Sequence, residues 1–341
     1  MTNVLIICAN RRNSLLECFR VALKGRGLVF GADSSEDAPG LREADRGFVV
    51  PPFTDPDYIN HLVGLCREHD VRLLISPHEL ELPLLARHRE DFLAVGTIAV
   101  VSSPAVIETC LDKWAAYQLL QECGIDCPKT FRSLQEVQEA LDRGEIALPL
   151  VVKPRWGSAS VGVVFVEDAD DLRPTYDFVR RQVARGSLAM ASAADPRRAI
   201  LIQERIAGQE YGLDVVNDLD GRYAATFVRR KLAMWAGNTE RAISVRSDAL
   251  ERLGAIVGRR LGHVGGLDCD VLEADGRLYF LDLNPRFGGG YLFSHLAGAN
   301  LPGALAAWAS GRAPDPSWLQ CRPNVRGGRC DRVIFTGGPL A

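Results

Sequence analysis

The segment LDLNPRFGGG, Leu281 to Gly290, ends a hydrophobic run with a carboxylate, an amide and a guanidinium at alternate positions. In an extended strand, side chains at i, i+2 and i+4 share a face, so Asp282, Asn284 and Arg286 are expected to converge on one ligand. Carboxylate and amide oxygens suit Mg²⁺, and a neighbouring arginine suits the phosphate oxygens that accompany it. Just upstream, GGLDCDVLEADGRLYFLDLNP reads as two strands joined by an Asp-Gly turn at Ala274 to Arg277. In that hairpin Asp270 can lie across from Asp282, and two facing acids call for a shared cation. Asp268 is read as solvent-facing.

A second group of residues surrounds a glycine and serine loop. IALPLVVKPRWGSASVGVVFV, Ile146 to Val166, is two valine-rich strands around that loop. A Walker loop runs from strand into helix and carries GK[ST]; here strand returns to strand, which describes a hairpin flap. Backbone amides from Ser158 to Val161, between Gly157 and Gly162, can form a nest for phosphate oxygens, or the loop is an ordinary turn. Lys153 sits in the apolar strand before it, where a buried ammonium needs an anion. Lys113, behind Asp112 at a helix start, is a further phosphate candidate or a surface lysine. ILIQERIAGQEYGLDVV, Ile200 to Val216, reads as strand, connector and strand; Gln203 to Ile206 can offer backbone groups to an adenine ring, with Glu210 at the ribose. Lys231 and Arg241 flank Met234 to Glu240, read as a loop closing over a γ-phosphate, while Arg246 is assigned to a substrate.

Elements must hold these groups. Short apolar runs at Val4 to Ala9, Leu28 to Asp33, Val71 to Ser76 and Gly96 to Ser102 alternate with helical stretches near Ser14 to Lys24, Pro56 to His69 and Glu79 to Asp91. That is the pattern of an open parallel α/β sheet. No GxGxxG follows the first strand, so dinucleotide chemistry loses its main support. Arg11 and Arg12, at the carboxyl end of that strand, can hold an anionic substrate or be solvated. Helices are expected from Pro104 to Cys110, Asp112 to Glu122 and Ala169 to Arg185.

The chain has 341 residues, 47% hydrophobic and 24% charged, with a net charge of -3. This describes a globular protein of two or three packed parts, without bulk attraction to nucleic acid or anionic membrane. No apolar run reaches the roughly 18 to 20 residues of a membrane helix, and a cytoplasmic location is expected. Nine cysteines lack CxxC spacing and are read as free thiols, and six histidines without HxxxH or HxH spacing argue against zinc.

Taken in order, Lys113, Lys153 with its glycine flap, QERIAGQE and the Asp270, Asp282, Asn284, Arg286 cluster resemble the ATP-grasp superfamily. FGGGYLFSHLAGANLP is similar to stand-alone carbamoyl phosphate synthase-like members of carboxylate-amine ligase type. The resemblance covers roughly Val4 to Ala309. It implies a pre-ATP-grasp α/β domain over 1–103 and an ATP-grasp domain of α+β character over 104–312, with a flap-bearing small lobe at about 115–205 and a metal-binding large lobe at about 206–312. A tail, 313–341, follows, and its VIF is read as a strand that pairs with another sheet or subunit.

The resemblance also assigns roles. Lys113 and Lys153 match the nucleotide lysines; Gly157, Ser158, Ala159 and Ser160 belong to the flap; Gln203, Glu204 and Ile206 form the adenine linker, with Glu210 at the ribose. Asp270, Asp282 and Asn284 are metal ligands, Asp282 standing where glutamate is commoner. Lys153, Lys231 and Arg286 are the catalytic candidates. The implied cofactors are ATP and Mg²⁺, with Mn²⁺ as the alternative ion, and the implied reaction is ATP-dependent ligation of a small carboxylate to an amine. Amino acids are the default substrates and a homodimer the default assembly. The alternatives are transfer of an acyl or carbamoyl phosphate to another acceptor, and ATP binding without chemistry.

Overall fold

A computed structural model of the chain describes residues 2–157, 161–186, 189, 191–193, 195–235 and 237–337. Its first sheet is wholly parallel, with strands β1 (Asn3–Ile7), β2 (Val29–Asp33), β3 (Arg46–Val49), β4 (Val71–Ile75) and β5 (Ile98–Ala99) in the order β3-β2-β1-β4-β5. The apolar runs of the sequence become β1, β2 and β4, buried along nearly their whole length, as parallel strands covered on both faces must be. Strand β3 escaped the sequence reading because it is an exposed edge with one apolar pair, Phe48 and Val49. The stretch from Glu79 to Asp91 is also more broken than expected: a 3₁₀ turn, Glu79–Glu81, precedes short helices Leu82–Arg87 and Arg89–Leu93.

Two antiparallel sheets follow. The smaller contains β6 (Thr130–Phe131), β7 (Leu150–Pro154), β8 (Val164–Val166) and β9 (Ile200–Glu204), ordered β6-β9-β7-β8, with the helix Ala169–Arg185 packed on it. The β7–β8 pairing, Val152 opposite Val164, leaves the intervening glycine-rich segment as a projecting hairpin. Gly162 needs its absent Cβ there: its φ is 74°, and a methyl would sit 2.9 Å from Pro154 Cγ. The larger sheet holds β10 (Gln209–Asn217), β11 (Tyr223–Trp235), β12 (Asn238–Val245), β13 (Gly265–Ala274), β14 (Arg277–Asn284) and β15 (Arg326–Gly328), ordered β14-β13-β10-β11-β12-β15. Asp275 and Gly276 both take positive φ, 51° and 73°, which is the tight hairpin turn read from the sequence.

One core joins the first and third sheets. Val4 and Ile6 of β1 share it with Phe227 of β11, Tyr291, and Leu301 and Leu305 of the helix Leu301–Ala309. The small sheet keeps a separate core built from Leu150, Val152, Ile200 and Ile202. The α/β class with a parallel N-terminal sheet is therefore the observed architecture. The tail differs from expectation. Val333 to Phe335 lie outside any strand with both aromatic and valine side chains exposed, and the pairing strand is β15, against β12. Gly327 explains the choice, since a Cβ there would lie 2.9 Å from Leu296 and 3.0 Å from Phe293. Among the described residues no helix is long and apolar enough to cross a membrane.

Candidate functional site

A cleft of about 360 Å³ lies between the flap hairpin and the β13–β14 hairpin, a size suited to one bound small molecule. Val151, Phe165, Leu272 and Leu281 form its apolar walls, and Lys113, Lys153, Glu210, Asp270 and Asp282 its charged floor. Asp270 and Asp282 are opposite one another in the β13–β14 register, with a bulge immediately after them. The bulge turns Leu281 into the cleft beside Asp282, a local irregularity of the kind that re-aims side chains.

Each acid is held by a lysine. Lys231 Nζ donates to Asp270 at 2.6 Å and to Glu210 at 2.5 Å, and Lys113 Nζ donates to both oxygens of Asp282 at 3.2 Å. Burial works against the Lys231 ammonium, but Asp270 and Glu210 outweigh it and hold the pKa above its ordinary value. Burial pushes the Asp270 carboxyl up to about 6, with Lys231 opposing and Asp268 and Glu210 adding to the rise. Lys113 is itself well placed: Asp112 caps its helix by accepting from Trp114 N and binds Arg155 through two bonds of 2.6 and 2.7 Å. Its ammonium also donates to Gly157 O at the base of the flap, 2.8 Å away.

Lys153 is buried and donates to Gln203 Oε1 at 2.8 Å; burial and the charge of Lys113 pull its pKa down to about 8, with Asp282 opposing. Gln203 lies inside the small sheet, opposite Thr130 on one side and Val151 on the other, and its side chain bridges Lys153 and Thr130. Free backbone for a ring ligand therefore begins past the end of β9, at Arg205 and Ile206, which line the cleft with Glu204. Ser158, Ala159 and Ser160 lie outside the described residues.

The face-sharing expected of Asp282, Asn284 and Arg286 ends where β14 ends. Asp282 turns to Lys113, whereas Asn284 donates to Asp268 O at 3.3 Å and Arg286 Nη1 to Asp268 Oδ2 at 2.8 Å. Arg286 also donates through Nη2 to Glu79, behind β4 of the first sheet. Asp268, read as solvent-facing, is instead ion-paired on both oxygens, because Arg229 Nη2 meets its other oxygen at 2.7 Å. Burial would raise the Asp268 pKa, but Arg286 and Arg229 outweigh it and hold it low.

Arg229 was missed altogether. It is 1% exposed and runs on to Asp214 at 2.7 Å, which accepts from Ser294 Oγ at 2.5 Å. The legible signal was its position two residues before Lys231 in β11, hence on the same face. FGGG was a second signal: a Cβ on Gly288, Gly289 or Gly290 would come within 2.2 Å of Asp268, 2.6 Å of Arg329 and 2.2 Å of Arg229 respectively. Arg241 and Arg246 are exposed and do not line the cleft. Met234 to Glu240 is the tip of the β11–β12 hairpin, with residue 236 outside the described set.

The floor has the donor set of a hard divalent cation. Two carboxylates stand opposite each other; Asn284, opposite Asp268 and outside the cleft lining, has its nitrogen engaged and, among the described residues, no hydrogen bond to its amide oxygen. The paired lysines hold the carboxylate oxygens that a cation would claim, and their ammonium groups are donors that a polyphosphate would claim, so the residues fit such a group.

Comparison with known proteins agrees with this layout. Residues 110–290, just over half of the chain, match the ATP-grasp domain family, and residues 4–101 match the family described as PylC-like, N-terminal domain. The chain is 25% identical over 226 residues to a D-alanine--D-alanine ligase of Dechloromonas aromatica (strain RCB), covering 60% of this chain and 68% of that one. It is 24% identical over 188 residues to an acetyl-CoA carboxylase of Dictyostelium discoideum, covering 54% of this chain and only 8% of that much longer protein. The crystal structure of an L-amino acid ligase from Bacillus licheniformis superposes with a TM-score of 0.70 at 22% identity, over 95% of this chain and 79% of that one. At that identity the likeness speaks to the fold.

Proposed function

This chain belongs to the ATP-grasp family, and from that premise we propose that it is an ATP-dependent ligase that activates a small carboxylate as an acyl phosphate and joins it to an amine. The observation that carries this reading is the facing pair Asp270 and Asp282, each held by a lysine, on the floor of a cleft with apolar walls. ATP lies with its adenine between those walls, near the backbone of Arg205 and Ile206, and its ribose at Glu210. Its phosphates run toward Lys113, Lys153 and Lys231. Asp270, Asp282 and the amide oxygen of Asn284 would hold Mg²⁺, which when bound neutralises charge on the phosphates.

The substrate carboxylate attacks the γ-phosphorus and ADP leaves, a transfer in which the protein's part is positioning and charge. Lys113, tied to Gly157 at the flap base, links closure of the hairpin to the floor, and Val161 and Phe165 keep water from the acyl phosphate. Asp268 fixes the plane of Arg286; exchange of Glu79 for the substrate carboxylate on Nη2 puts that guanidinium against the negative charge that develops on the acyl oxygen. The amine then attacks that carbon, loses a proton, and phosphate leaves as the amide forms. Amino acids are the proposed substrates, supported by the likeness to D-alanine--D-alanine ligase and L-amino acid ligase.

The test is phosphate release from ATP with Mg²⁺ across pairs of amino acids, with hydroxylamine as a trap. ADP, phosphate and a hydroxamate are expected only when a suitable acid is present, and hydroxylamine-independent turnover only when an amine joins it. ATP raising the melting temperature without turnover or hydroxamate for any acid would replace this reading by one of binding without chemistry.

A further inference from the structure

Away from the cleft, at the carboxyl ends of the two central strands of the parallel sheet, three side chains of unlike chemistry meet. Cys8 follows β1 directly, and His78 and Glu81 lie just beyond β4, its neighbour in the sheet. The Cys8 sulfur, a ring nitrogen of His78 and a carboxylate oxygen of Glu81 all lie within 4.8 Å of one another. None of the three lines the nucleotide cleft.

Their surroundings organise them as ligands. Glu81 is 1% exposed, and its two oxygens are fixed from behind by Tyr58 Oη and Ser76 Oγ, each at 2.7 Å. Ser76 also accepts from the backbone nitrogen of His78 at 3.1 Å, so one hydroxyl ties both residues into register. The Cys8 thiol donates to Glu81 Oε1 at 3.0 Å, and that proton stands between a sulfur and an oxygen where a cation would bridge both. Among the described residues His78 Nδ1 is buried without a hydrogen-bond partner, which is costly for an imidazole unless a ligand completes it. Hydrogen bonds that orient a ligating carboxylate from behind are the ordinary accompaniment of metal binding.

We propose that Cys8, His78 and Glu81 form a site for Zn²⁺, separate from the all-oxygen site of the cleft. Sulfur, imidazole nitrogen and one carboxylate oxygen are a zinc donor set, unlike the oxygen sets of Mg²⁺. A thiolate and a carboxylate balance the double charge, and three protein ligands leave the fourth tetrahedral position for water or a solute. With zinc bonds of about 2.0 to 2.3 Å, neighbouring ligands stand roughly 3.3 to 3.8 Å apart, so the Cys8 sulfur and Glu81 Oε1, now 3.0 Å apart, open slightly, while any separation near the 4.8 Å limit closes by about 1 Å. Binding forms a zinc–sulfur bond and sends the Cys8 proton to solvent. The site lies where open parallel sheets gather ligands, outside the carboxyl ends of the strands.

The experiment is titration of the full chain with Co²⁺ as a spectroscopic substitute, in the absence of ATP, followed by displacement with Zn²⁺. One equivalent is expected, with a thiolate-to-cobalt charge-transfer band in the near ultraviolet that Zn²⁺ abolishes. Cys8→Ser should remove the band and weaken zinc binding at least 100-fold, whereas Cys18→Ser, at a buried thiol elsewhere, should leave both unchanged. His78→Gln, at a half-exposed position that tolerates a polar amide, should weaken binding at least tenfold and decides the matter if Cys8→Ser fails to fold. No stoichiometric uptake by the full chain, or a band that survives Cys8→Ser or binding that survives His78→Gln, would overturn the proposal. Because no nucleotide is used, the outcome is independent of the ligase reading.

Discussion

Replacing Arg229 by methionine tests whether the buried charge chain beneath the cleft holds the fold together. Arg229 is bonded to Asp214 and Asp268 at 2.7 Å each, and Asp268 retains Arg286 when it goes. Asp214, 3% exposed, keeps only the Ser294 hydroxyl. Breaking a buried pair from one side costs about 3–5 kcal/mol. Asp214 can reduce that cost by taking a proton, since burial already raises its pKa against the pull of Arg229. The variant's folded state then holds a proton that the unfolded chain, with an aspartate pKa near 3.9, gives up. Its stability is greatest at low pH and falls as pH rises, by about 1.4 kcal/mol per unit relative to the parent. The expected deficit is about 3 kcal/mol at pH 6.5, growing toward about 5 kcal/mol at pH 8. Urea unfolding at the two pH values measures it, and Asp214→Asn in the Arg229→Met background should recover at least half at pH 8 by removing the stranded charge. A deficit below about 1 kcal/mol at pH 8, or no recovery in the double variant, would refute the reasoning.

Other outcomes follow from the site's geometry. ATP affinity should fall as pH rises through about 8, because Lys153 loses its proton there and a triphosphate needs it charged; a pH series of Kd should show this in the parent and a flat, weaker profile in Lys153→Met. Asp282→Ala should cut phosphate release at least 100-fold with little change in melting temperature, and turnover near the parental level would count against a cation at that carboxylate. Gly290→Ala should destabilise by about 1–3 kcal/mol because Arg229 is pinned at both ends, whereas Gly289→Ala meets only the tip of Arg329 and should cost less; equal melting temperatures for the two would contradict that contrast.

The facing acids carry a further consequence. From sequence, Asp270 opposite Asp282 demanded a cation to relieve repulsion, yet the structure relieves it with Lys231 and Lys113. The lysines thus neutralise the floor before nucleotide arrives, and under the proposed function they would join Lys153 in meeting its phosphates afterwards. Binding of a divalent cation with a triphosphate would exchange partners among these lysines and acids, and the cation would cancel about half of the charge that the triphosphate brings, which lowers the desolvation cost.

How far this was legible depended on the range of the interactions. The strand periods, the flap hairpin and the Asp275-Gly276 turn are local, and period-2 alternation with turn chemistry found them. The pairing of Asp270 with Asp282 needed more than the hairpin: the two-residue turn alone sets Asp270 opposite Leu281, and the bulge beside Asp270 shifts the register by one residue. Alternation failed at Arg286 because β14 stops at Asn284 and the chain bends, so the guanidinium swings to Asp268 and across to Glu79 in another sheet. Nothing local marks a residue more than two hundred positions away as its partner. Asp268 and Arg229 were misread or missed for the opposite reason: charged side chains in a strand are usually solvated, and burial becomes tolerable only when several strands bring opposite charges together. The glycines of FGGG are the trace that this network leaves in the sequence, because a run without Cβ atoms beside a strand end clears room for guanidinium and carboxylate groups that the strand itself does not announce.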